Sequence, residues 1–120
     1  MPGATEAEAR NAGPTVIDAG EWLASRSPAP PSDLSERIIR IVGGKTCADE
    51  SAMAELFIRS AAELLSALRD DRAGAFDLLT ADALITYAME ASANNEENLE
   101  TAARLAMQVI GAVPGRGGQA

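Results

Sequence analysis

The 120-residue chain has no histidine, one cysteine (Cys47), one lysine (Lys45) and four aromatic side chains: Trp22, Phe57, Phe76 and Tyr87. Each shortage removes a class of chemistry. Without histidine, no Ser-His-Asp or Cys-His relay forms within the chain. A His-containing zinc site is excluded as well, and one thiol cannot build a thiolate cage. A carboxylate-only Mg²⁺ or Ca²⁺ site remains open. One cysteine makes no internal disulfide, so nothing here requires an oxidising compartment. Long apolar runs are also missing. The longest uncharged stretch with a clear apolar pattern is Leu105–Gly115, well short of the roughly 20 residues a membrane span needs. The opening MPGATEAEARNAGPT has neither the basic nor the apolar region of a secretory signal. The expectation is a soluble, cytoplasmic protein.

Positive charge is scarce too. Lys and Arg total 10 against 18 Asp and Glu, a net charge of −8. Phosphate neutralisation needs clustered Lys or Arg, and the basic residues are dispersed, so nucleic acid is not an expected partner. Acidic membrane surfaces are disfavoured for the same reason.

What the chain does have is alanine: 25 residues, close to half of the hydrophobic inventory. Leu, Ile, Val and Phe number 24, and 21 of them lie between Leu34 and Val113. That distribution predicts an ordered body between poorly apolar ends. The expected organisation is a disordered tail over 1–14, a short helix and Pro-rich linker over 15–31, a helical domain over 32–113 and a disordered tail over 114–120.

The pattern along the chain is helical. Val16 to Arg26 reads as a short helix, with Asp18 and Glu21 at capping-box spacing before Trp22 and Leu23. SPAPPS over 27–32 favours an extended linker. Ser32 or Asp33 is placed to cap the next helix, on which Leu34, Ile38, Ile41 and Val42 share a face. The β-branched run Ile38–Val42 is also compatible with a strand, but the capping signals favour helix. Gly43-Gly44 ends it. Thr46 or Asp49 opens a longer helix reaching about Arg69, with Met53, Phe57, Ala61, Leu64 and Leu68 stepping by three or four. Asp70–Gly74 reads as a break. A third helix is expected from about Ala75 to Ala93, apolar over more than half its circumference and so the most buried. Asn94-Asn95 makes a turn and cap. The last helix carries Leu99, Ala102, Ala103, Ala106, Val109, Ile110 and Val113 and stops at Pro114. Four acid-first i,i+4 pairs support the assignments: Asp33–Arg37, Glu36–Arg40, Glu55–Arg59 and Glu100–Arg104. The predicted fold is all-α, a small bundle of four helices preceded by a short Trp-bearing segment.

Candidate sites compete with plainer explanations. Gly43-Gly44-Lys45-Thr46 looks like the end of a phosphate loop, but the motif needs a glycine where Ile39 stands. A helix C-cap followed by a helix N-cap accounts for it. Cys47 near a helix N-terminus and Lys45 has the setting of a lowered pKa, yet no base or resolving thiol accompanies it, and an incidental or half-buried cysteine is the favoured account. Glu96, Glu97 and Glu100 suit the positive end of the last helix. Asp70, Asp71, Asp77 and Asp82 invite a metal or diphosphate reading. The stretch Thr80–Glu90 resembles the helix after the aspartate-rich motif of polyprenyl synthases. That family's motif implies metal-held diphosphate and needs further aspartates at helical spacing. Here Arg72, Ala73, Gly74 and Ala75 follow Asp70-Asp71, and 120 residues do not supply that large fold.

The unique tryptophan draws a different expectation. Trp22 either completes the core of its own chain, docks on a second copy, or anchors another protein, since Trp is enriched at binding hot spots. A core built largely from alanine buries little area per residue, and oligomerisation is a natural remedy. The expected function is therefore a non-catalytic helical interaction protein, an accessory subunit or homo-oligomer. Trp22, Leu23, Leu84 and Tyr87 are its partner-binding candidates, its partner is a protein or a second copy, and it has no cofactor and no metal. The alternatives are a carboxylate-based metal- or diphosphate-binding bundle around Asp70, Asp71 and Asp77, and a nucleic-acid-associated regulator with a basic face from Arg37, Arg40, Lys45 and Arg59.

Overall fold

A computed structural model describes residues 16–113. The tails expected over 1–14 and 114–120 lie outside the described residues. Within them the fold is all-α, with five helices and one two-stranded pairing. In chain order these are β1 (Ile17–Asp18), α1 (Ala19–Ala24), α2 (Ser32–Val42), β2 (Thr46–Cys47), α3 (Glu50–Ser66), α4 (Arg72–Ser92) and α5 (Glu96–Gly111).

Side-chain caps fix most helix starts. The Asp18 carboxylate accepts from the Glu21 amide at 2.9 Å, Asp49 from Ala52 at 2.8 Å, Asp71 from Gly74 at 2.8 Å and Asn95 from Asn98 at 3.0 Å. Each satisfies a backbone donor that the first turn leaves open. The start of α2 differs from expectation. Pro31 is its N-cap residue, no side chain caps it, and Ser32 and Asp33 are already helical. The Pro31 carbonyl takes the first helical bond, from the Ser35 amide at 2.9 Å, so the helix begins directly on the extended proline run.

Two other expectations are corrected. Thr46 does not open α3. With Cys47 it forms an antiparallel pairing with Ile17 and Asp18, in the register Ile17–Cys47 and Asp18–Thr46. The Ala19 amide extends that clasp by donating to the Lys45 carbonyl at 2.9 Å. And α4 starts at Arg72, not Ala75, with Gly74 inside its first turn. The run Ile38–Val42 is helical, with Leu34, Ile38 and Val42 buried.

The core sits on α3. Met53, Ala54, Phe57, Ile58, Ala61 and Leu65 are all buried, and Phe57 is the largest fully buried side chain. α4, expected to be the most buried helix, instead lies on one side of α3. It buries Thr80, Ala81, Leu84, Ala88 and Ala91 and leaves Leu78 and Leu79 45% and 51% exposed. Its buried hydroxyls turn back onto their own helix, Thr80 to the Phe76 carbonyl and Ser92 to the Ala88 carbonyl. α1 is not an appendage on a linker. Ala19 and Leu23 are buried in the same core as the residues of α2–α5.

Candidate interaction surface

The four partner-binding candidates fall into two groups. Leu84 is fully buried and Leu23 is 8% exposed, so both serve the core. Trp22 and Tyr87 are half-buried and meet each other. The Trp22 ring lies 5.8 Å from Phe57 at an interplanar angle of 50°, and 6.2 Å from Tyr87 edge-on at 89°. Such tilted and edge-on pairs contribute about 0.5–1.5 kcal/mol beyond the area they bury. Trp22 therefore completes the core of its own chain.

Arg26, which sequence reasoning passed over, closes this cluster. Its guanidinium stacks 4.1 Å over the Trp22 ring, its Nε donates to the Trp22 carbonyl, and its Nη1 pairs with Glu90 of α4 at 3.1 Å. Glu90 stands 64 residues away, and no local spacing could signal the pair. Burial pushes the Tyr87 hydroxyl pKa up; Glu90 adds to the shift and Arg26 opposes it.

Asp71 and Asp77, two of the groups considered for chemistry, are engaged in architecture. Asp71 caps α4 and pairs with Arg69 at 3.3 Å. Asp77 holds Arg37 of α2 at 2.8 Å, which supplants the expected Asp33–Arg37 pair. Among the described residues no three Asp, Glu or Cys side chains are grouped as metal ligands. Cys47 is buried, and its pKa is raised first by that burial and then by Asp49. The direction is opposite to the lowered pKa weighed from the sequence and agrees with the buried cysteine set beside it.

The residues considered for a basic face divide between two grooves. Arg37 and Arg40 line a groove with Arg72 and Phe76, and Lys45 and Arg59 line another with Thr46 and Cys47. Arg59 is also paired with Glu55 at 2.9 Å. No described helix is long and apolar enough to cross a membrane.

Apolar surface remains on the outer sides of the last two helices. Leu78 and Leu79 of α4 are joined by Leu99 and Met107 of α5, 37% and 77% exposed. These positions were part of the apolar pattern read from sequence or lay beside it. Their exposure could not be read there, because it depends on which side of each helix meets α3. No family model, curated protein or solved structure matches the chain.

Proposed function

We propose that this chain is a non-catalytic interaction protein of the cytoplasm, an accessory subunit or small homo-oligomer acting through helix–helix contacts. The observation that carries the reading is the large apolar side chains left uncovered on α4 and α5: Leu78, Leu79, Leu99 and Met107. Burying a side chain of that size from full exposure is worth about 1.5–3 kcal/mol, and 37% to 77% of each remains to be covered. A small core rich in alanine has much to gain from it. Amphipathic helices commonly find such cover in a groove or on another helix.

The metal- or diphosphate-binding alternative draws less support, because Asp71 and Asp77 already have structural partners. The nucleic-acid alternative is weakened by the division of its arginines and lysine between two grooves.

Light scattering across the micromolar range, together with recovery of the cross-linked native complex, tests the proposal. The expected result is a mass above that of the monomer, or one stoichiometric partner. Either should be lost when Leu79→Asp and Met107→Asp are combined. A monomer at every concentration with no stoichiometric partner overturns the reading, as does turnover of a substrate by the chain alone.

A further inference from the structure

Resting on that interaction reading, we propose that the outer face of α5 seats a basic amphipathic helix supplied by another protein. α5 lies on the molecule rather than in it. Ala102 is its only buried residue, while Leu105, Ala106, Val109 and Ile110 are half-covered. Steps of four residues carry Leu99, Ala103 and Met107 down its exposed side, with Ile110 three residues on. The line from Leu99 to Ile110 is about 16 Å long at the helical rise. A partner helix offering anchors at i, i+3 or i+4, i+7 and i+11 spans the same length. At its N-terminal end the line runs into a shallow depression of about 450 Å³, where Glu96, Glu97 and Glu100 stand around Leu99 and Ala103.

Charge selects the occupant. Among the described residues neither Glu96 nor Glu97 pairs with a cation. Glu100 reaches only Arg104, at 3.8 Å, with the two side chains 72% and 69% exposed. Glu96 and Glu97 complement the helix dipole, but that effect fades after the first turn and does not account for Glu100. A second copy would carry a net charge of −8 of its own and bring one basic residue on this helix, Arg104, so it offers few cations to meet these carboxylates. An anionic bilayer is repelled on the same ground. A helix with Lys or Arg beside an apolar stripe fits both features: its stripe covers Leu99, Ala103 and Met107, and its cations meet the three glutamates. The ion pairs steer approach and set orientation, and the apolar line supplies most of the hold.

The test is a fluorescent Leu/Lys peptide, patterned with leucines at helical spacing and titrated with the full chain while anisotropy is read. Saturable binding is expected, weakened about tenfold or more by Ala103→Glu and by Met107→Glu. Both positions are exposed, and circular dichroism checks that helicity is kept. Each variant adds a negative charge, so non-specific attraction of a cationic peptide would strengthen. Unchanged or tighter binding therefore overturns the proposal, as does no binding by the unaltered chain. Loss on Leu78→Glu or Leu79→Glu alone moves the seat to α4, which overturns this inference but leaves the interaction reading standing. Self-association that disappears with Ala103→Glu gives the face to a second copy, with the same consequence. The interaction reading fails separately, on the light-scattering and native-complex result.

Discussion

Gly74 shows what one missing side chain permits. It is buried in the first turn of α4, and a Cβ placed there would fall against the Arg69 carbonyl. The chain leaves α3 and re-enters helix within five residues, and only glycine lets the two backbone segments come so close. Gly74→Ala is expected to destabilise by about 2 kcal/mol or more, since rigid backbone must move. Gly111→Ala meets nothing within 4 Å and should be neutral or stabilising by up to about 1 kcal/mol. Urea midpoints separate the two; equal shifts would contradict the close approach. Cys47 makes a second residue-scale case. A thiol beside Lys45 and a helix start invites an activated reading, which the sequence weighs below an incidental or half-buried cysteine. Cys47 is buried and pairs with Ile17, and a two-residue strand leaves no alternation in the sequence to announce that pairing. Burial raises the folded-state pKa of both Cys47 and Tyr87 above their ordinary values of 9.0 and 10.0. The folded state thus holds these protons more tightly than the unfolded state. The resulting stability is complete below the unfolded values and is lost as pH rises through the folded ones. Melting followed upward from pH 9 should show that decline, and Cys47→Ala should remove part of it. A flat profile would contradict the burial of both groups.

At the scale of the element, the caps and the stripes were the legible part. Asp18, Asp49 and Asn95 stand where their spacing placed them and accept the bonds expected of them. The stripe Met53, Phe57 and Ala61 is buried as its period requires and Leu64 is half-covered, but α3 ends at Ser66, short of the expected Arg69, and leaves Leu68 in the connection to α4. The boundaries that failed share a cause. Asp71 and Gly74 both looked like turn residues, yet one caps α4 and the other lies within it. Ser32 looked like a cap, but the extended proline run delivers Pro31 directly to the helix start. The surviving ion pairs follow the same division. Glu55–Arg59 and Glu100–Arg104 form within one helix, whereas Arg37 leaves its local acid for Asp77 across the α2–α4 contact. A set of cap substitutions tests this account. Asp71→Ala and Asp49→Ala should each cost about 1 kcal/mol. Ser32→Ala makes no cap bond to lose and should stay within about 0.5 kcal/mol. A cost at Ser32 equal to that at Asp71 would show that α2 is capped after all.

For the whole molecule the decisive question is where the domain begins. Composition alone suggests Ser32, because the prolines before it read as a linker and most large apolar residues follow it. In the structure the segment before Ser32 packs against the helices that follow it. α1 contributes Ala19 and Leu23 to the core and leans Trp22 on Phe57 and Tyr87. Arg26 ties it to Glu90 of α4, and β1 joins it to β2. These contacts link residues far apart in the chain, which is why a local pattern could not reveal them. They also make a sharp prediction about truncation. Residues 1–14 contain no Leu, Ile, Val, Phe or Trp, and their removal should leave helicity and melting temperature unchanged. Removal of residues 1–26 also takes the strand, Leu23, Trp22 and Arg26, and uncovers one side of Phe57. Complete burial of each large side chain is worth about 1.5–3 kcal/mol, so several kcal/mol are lost from a total of about 5–15. In a domain near 100 residues each kcal/mol moves the melting temperature by about 4–8 °C. The longer truncation should therefore melt at least about 15 °C lower, or lose its cooperative transition. Two truncations that melt alike would mean that α1 adds nothing to the core.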